Sequence, residues 1–250
     1  MIKNTSRSKE LVMDHFLKNI KKIIDKNNPI ILELGAHKGY ETRFFLGNFK
    51  DLKIFCFEPD PRCIKSFKEN ICDNRCILIE AAISNYDGTT FLNLSSGCNP
   101  GKFNKIYPLL RFFNLTELLV NKSNRDWDYS SSIKESISRS KQYPWLIFKD
   151  KIKIETIKLD SFIKTKNINH IDLIFSDIQG AEKEMIEGAI ETLNITNYLY
   201  TEYGETSSYR GALTRKEMID LLSNKNFELV EEYSSRKKVG NLLFKNKRIN

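Results

Sequence analysis

Histidine, cysteine and long apolar runs are all scarce in this chain of 250 residues, and each shortage closes off some chemistry. The three histidines (His15, His37 and His170) lie too far apart in sequence to suggest a metal cluster, and they leave little imidazole for moving protons. The five cysteines (Cys56, Cys63, Cys72, Cys76 and Cys98) contain no C-x-x-C pair. Cys72 and Cys76 lack the second pair or the histidines of a zinc site, so thiols without a structural role are expected. No apolar run approaches the roughly 18 residues of a membrane span. Charges also interrupt the N-terminal stretch where the apolar part of a signal peptide would sit, so a cytoplasmic location is expected. Two phosphate signatures are missing as well: there is no G-x-G-x-x-G and no G-x-x-x-x-G-K-[ST], which points away from a diphosphate ligand.

What is present is ordinary globular composition, with 40% hydrophobic and 29% charged residues, enough for one domain with a substantial core. The net charge of +8 is spread along the chain and hints only weakly at nucleic acid. An amphipathic helix is expected over about residues 9–24. Beyond it, short apolar runs at 30–34, 53–57 and 76–79 alternate with helical stretches at about 38–48 and 62–71. That rhythm implies a parallel sheet with right-handed crossovers. Strand-like segments follow at 89–94 and 151–159, then a strand at 171–176, a helix at 180–193, a strand at 198–202, a helix at 214–224 and two strands at 227–233 and 239–245. Between about Ser95 and Asp150 the rhythm dissolves into a polar stretch with aromatic islands. So long a loop in a compact domain reads as an inserted cap or substrate-facing segment.

Ligands of an open parallel sheet sit at the C-terminal ends of its strands. The stretch Glu33-Leu34-Gly35-Ala36-His37-Lys38-Gly39 runs from a strand into a helix, with Gly35 allowing a tight turn and Gly39 a close backbone approach. A plain glycine turn is the alternative reading. Glu58 ends the next strand, where a carboxylate can accept both ribose hydroxyls, although it could equally be a solvated residue ahead of a proline turn. Together these describe a site for a nucleoside without a diphosphate, and S-adenosyl-L-methionine fits that description.

The series ILELGAHKGYETRFF, FCFEPDPRCIKSFKENI, ILIEAAISNYDGTTFLNL, IKLDSFI, IDLIFSDIQGAEKEMIEGA and YLYTEYGE resembles the FkbM family of S-adenosylmethionine-dependent methyltransferases over roughly residues 29–205. The resemblance implies an α/β, Rossmann-like class I methyltransferase, with a mostly parallel seven-stranded sheet, helices on both faces and an antiparallel C-terminal strand. It implies a cofactor held by Glu33, Gly35, Ala36, His37, Gly39, Glu58, Pro59, Asp60, Ala81, Ala82 and Asp177. The chain departs from the family pattern at His37, where Asn is common, and at Gln179, where Glu is common.

Members of the family mostly methylate hydroxyl groups, so the resemblance favours an O-methyltransferase acting on a saccharide or glycosylated acceptor. A hydroxyl must lose its proton as the new bond forms, and Asp177, Glu182, Glu202 and Glu205 are the candidate bases. The same carboxylates could instead hold Mg²⁺, which would acidify a bound hydroxyl. Glu182 could also be only a charge favoured at a helix start. Ser130, Ser131 and Ser132 suit a hydroxylated ligand, with a polar surface loop as the plainer reading; the insertion is expected to select the acceptor and add little to the cofactor pocket. The competing function is a nucleic-acid-binding or RNA-modifying protein on the same fold, for which no N-P-P-Y motif is present.

Overall fold

Strand β1 (Ile30–Leu34) is buried along nearly its whole length, the expected fate of an apolar run covered on both faces. It lies between β2 (Lys53–Phe57) and β7 (Ile171–Ser176) and is parallel to both. The main sheet has seven strands in the order β3-β2-β1-β7-β8-β10-β9. In it, β3 (Cys76–Ile79) and β8 (Thr196–Gly204) extend the parallel set, while β10 (Val239–Asn246) runs antiparallel to both β8 and β9 (Phe227–Arg236). This computed structural model describes residues 16–17, 19–97, 112, 127–137, 143, 145–204, 208–236 and 239–249. Residues 16–17 and 19–23 are helical, as expected; residues 9–15 of the expected helix lie outside the described residues.

Two apolar layers sandwich the sheet. One joins Leu32, Phe55, Phe162, Met185 and Phe244; the other joins Phe16, Phe45, Cys56, Phe175 and Tyr200. Helices α1 (Tyr40–Asn48) and α2 (Pro61–Asn70) follow β1 and β2, and Asp60 caps α2 by accepting the Arg62 N–H. Helix α6 (Arg215–Ser223), expected from residue 214, opens on a reciprocal capping box between Thr214 and Glu217.

The strand-like segments at 89–94 and 151–159 lie outside the main sheet. They form β5 (Gly88–Ser96) and β6 (Ile147–Ile157), which pair antiparallel and, with β4 (Ala82–Ile83), make a separate three-stranded sheet. The second of these strands also ends sooner than expected, because α3 (Leu159–Lys166) begins at Leu159. The helix expected over 180–193 is broken into α4 (Glu182–Glu187) and α5 (Ile190–Asn194). The break falls at Gly188, where a Cβ would lie 2.3 Å from the Ser84 carbonyl oxygen. Helical continuity gives way there to close backbone packing, and the Asp160 N–H binds the Gly188 carbonyl at 3.1 Å.

Candidate active site

The turn after β1 is folded onto its neighbours rather than open. The Gly35 and Ala36 N–H groups both donate to the Phe57 carbonyl at 2.9 and 3.0 Å, and the Gly39 N–H donates to the Ala36 carbonyl. Gly35 has φ +85°, and a Cβ there would stand 2.1 Å from the Asp177 carbonyl oxygen, so only glycine lets the tips of β1 and β7 approach. Gly39 is required for a different reason than expected. Its Cβ position is filled by Ile71, 2.6 Å away, so the close approach is to a side chain of the protein.

Glu58 ties this turn to the tip of β2. One carboxylate oxygen accepts the His37 N–H and the other the Asp60 N–H, both at 2.8 Å. Burial pushes its pKa up to about 7, against the lowering effect of those two bonds. Each oxygen keeps a second lone pair, so the group can still accept two hydroxyls. Behind it, Glu33 is fully buried, and its pKa is raised to about 8, chiefly by desolvation. One Glu33 oxygen accepts from Thr42 Oγ1 at 2.6 Å, while the other has no hydrogen-bond partner among the described residues. Ala81 and Ala82 are buried beside the tip of β3. A groove of about 620 Å³ lined by Pro59, Ile64, Lys68, Glu80 and Ile154 runs along this flank.

At the other half of the edge, Ser176 on β7 is level with Thr201 on β8, so Asp177 and Glu202 are the next residues on adjacent strands. Gln179 donates to the Asp177 carboxylate, and Gln179 and Gly180 both take positive φ, 53° and 96°. A non-glycine residue in that region stores strain, a feature that collects at functional turns. Glu182 is buried just behind them. Its pKa is raised to about 8 by desolvation, opposed by the Gly180 N–H and reinforced by the charges of Glu202 and Asp177. The three carboxylates expected at the reacting end are thus brought together; Glu205 lies outside the described residues.

Sequence reasoning missed how residues 127–137 cross this edge. Asp128, nearly buried, binds His37 Nε2 at 2.8 Å and pairs with Lys38, which holds its pKa down at about 2 despite the burial. Ser131 Oγ donates to Asp60 at 3.0 Å, and Ser132 Oγ to the Gln179 carbonyl at 2.8 Å. Ser130 is buried, accepting from Trp127 Nε1, and its carbonyl accepts from Tyr209. The three serines therefore bind the strap to both halves of the edge, and the insertion reaches the cofactor-side turn more closely than expected. Asp60 is turned toward Arg62 and Ser131. No local signal marks these contacts, since Asp128 and His37 are 91 residues apart. Among the described residues, the trio of His, Cys, Asp or Glu groups whose ligand atoms lie within 4.8 Å of one another is His37, Cys63 and Asp128, not the three carboxylates.

A family model described as the methyltransferase FkbM domain matches residues 33–229. The chain belongs to the FkbM methyltransferase family. It is 33% identical over 233 residues to the 2-O-methyltransferase NoeI of Sinorhizobium fredii strain NGR234, covering 93% of this chain and 85% of that protein. It is 21% identical to the methyltransferase sdnD of Sordaria araneosa, over 82% of this chain and 76% of that one. Among solved structures it resembles magnesium protoporphyrin IX methyltransferase of Synechocystis PCC 6803 with bound S-adenosylmethionine, at TM-score 0.50 and 5% identity, covering 99% and 86% of the two chains. At that identity the likeness establishes the fold alone, Rossmann-like as the sequence implied. Like other members of its family, this chain is an S-adenosylmethionine-dependent methyltransferase. The residues fit that cofactor: the buried Glu58 carboxylate keeps acceptor capacity for a ribose beside a turn that only glycine can make. No helix among the described residues is long and apolar enough to cross a membrane.

Proposed function

We propose that this chain is an O-methyltransferase acting on a hydroxyl of a saccharide or glycosylated acceptor, and that it forms one methyltransferase domain with an inserted segment at about 95–150. The observation that carries this reading is the placing of Asp177 and Glu202 next to each other at the ends of β7 and β8, with the Asp177 backbone directly against the Gly35 turn. The 33% identity to a 2-O-methyltransferase supports oxygen as the accepting atom. S-adenosylmethionine, when bound, supplies an electrophilic methyl group. Gly35, Ala36 and His37 would hold its methionine end, Glu58 its ribose, and Pro59, Ala81 and Ala82 its adenine flank.

Asp177 takes the proton of the acceptor hydroxyl, held by Gln179 at the turn. Glu182, largely protonated at neutral pH because it is desolvated, adds little charge beside Asp177 and Glu202. Glu202 then helps orient the acceptor. A carboxylate base is preferred to Mg²⁺, because the three carboxylates are not among the side chains that converge within cation-sharing distance. The four described cysteines are free thiols, which suits a reducing cytoplasm. Nothing among the described residues of the edge favours the nucleic-acid reading, whose support is the net charge of +8 and the basic clusters at 236–238 and 245–248.

The test is Asp177→Asn. Turnover on a saccharide acceptor should fall by about 10²–10⁴-fold, far more than cofactor affinity, and EDTA should leave the wild type unchanged. A variant retaining half its turnover would remove Asp177 as the base. Loss of wild-type activity in EDTA, restored by Mg²⁺, would replace the base with a metal.

A further inference from the structure

We propose that the insertion carries a saccharide-stacking subsite built on a row of aromatic rings that starts at the cofactor-side turn, with Tyr129 as its platform. The row is continuous. His37 and Tyr129 have centroids 4.3 Å apart, Tyr129 and Trp127 5.1 Å, Trp127 and Trp145 5.0 Å edge to face, and Trp145 and Tyr143 5.7 Å. Despite its two ring neighbours in the row, Tyr129 is 57% exposed. It is also held in place: the residue before it, Asp128, is locked onto His37 and Lys38.

A further observation bears on the ligand. Lys38 Nζ lies over the Tyr129 ring, 5.6 Å from its centroid, so a cationic N–H donor adjoins the exposed ring. An exposed aromatic ring with a donor beside it suits a molecule with apolar C–H faces and acceptor oxygens around its rim, which describes a pyranose. A rigid ring also loses little side-chain entropy when a ligand stacks on it. Ser130, Ser131 and Ser132 do not supply this surface, because their hydroxyls are engaged within the strap and with the edge. The inference rests on the proposed saccharide acceptor, which it refines by moving recognition from those serines to the aromatic row.

The chain contains its own reporter, because its two tryptophans, Trp127 and Trp145, both lie in the row. The experiment uses the full chain saturated with S-adenosylhomocysteine and titrates a panel of mono- to tetrasaccharides while tryptophan emission is followed. A saturable change is expected for at least one saccharide. Tyr129→Ala should weaken it by about tenfold, equivalent to about 1.4 kcal/mol, and Tyr129→Phe should keep it within about threefold, since the ring remains. Cofactor affinity by calorimetry and the melting temperature report whether Tyr129→Ala is otherwise intact. No saturable change with any saccharide, equal affinity for wild type and Tyr129→Ala, or a response only to nucleosides and oligonucleotides would each overturn the subsite. A saccharide that binds in this way but is never methylated would defeat the proposed function and leave the subsite standing. Methyl transfer indifferent to Tyr129 would do the reverse.

Discussion

Around β1 and β2 the active edge is held by bonds of short sequence span, whereas around β7 and β8 it is completed by residues from far along the chain. The His37 N–H reaches Glu58 across 21 positions and Thr42 reaches Glu33 across 9. By contrast, Ser132 reaches Gln179 across 47 positions and Tyr209 reaches the Ser130 carbonyl across 79. Closing such long-range contacts costs more chain entropy, and that cost must be met by the packing of the whole sheet. The first half is therefore a local device that strand, glycine and carboxylate can build almost alone. The second half is assembled only when the strap of residues 127–137 lies across it, and that strap also touches the first half through Asp128 and Ser131.

The sharpest way to break the comparison is at the shared contact between the halves. Gly35→Ala forces a side chain into a positive φ and against the Asp177 carbonyl, 2.1 Å away. Strain and overpacking together should cost about 2–6 kcal/mol. Gly47→Ala, in α1 with nothing within 4 Å, is the control, and it should be neutral or stabilising by up to about 1 kcal/mol. Chemical denaturation of the two variants checks this; equal stabilities would mean that the two tips are not in contact.

The local half is tested next. Glu58→Ala removes the acceptor for the His37 and Asp60 N–H groups and for the proposed ribose hydroxyls. With bonds to a charged group worth about 1.5–3 kcal/mol each, S-adenosylmethionine affinity should drop at least about tenfold by calorimetry. Unchanged affinity would take Glu58 out of the site.

A pH dependence also follows from burial on this edge. Glu33 and Glu182 have folded pKa values of about 8 and Glu58 about 7, all above the ordinary value of 4.5. Between these limits the folded protein binds more protons than the unfolded chain, so the cofactor-free protein should lose stability as pH rises. The contribution is complete below about pH 4.5 and gone above about pH 8. Urea denaturation at about pH 5.5, 7 and 8.5 should show the decline, and Glu33→Gln should flatten it. A stability that rises across this window would contradict the burial of these carboxylates.

The smallest effect is expected from the strap. Ser131→Ala with Ser132→Ala removes one bond to Asp60 and one to the Gln179 carbonyl. At about 0.5–1.5 kcal/mol per bond, cofactor affinity and acceptor KM should both worsen by a few-fold. A change in KM alone would show that the strap serves only the acceptor side.

The amino-acid sequence by itself determined the strand–helix rhythm, the tips of β1, β2 and β7, and the local carboxylates, because period, glycine and capping residues act over a few positions. The helix expected from Thr214 is a clear instance, and the structure adds Glu217 to its threonine as a capping box. Tertiary structure alone decided that β5 and β6 leave the main sheet, that Gly188 breaks a helix against Ser84, and that Asp128 and the three serines lock onto the edge. Those outcomes depend on which backbone groups meet after the chain has closed over tens of residues, and no pattern of neighbouring side chains carries that information.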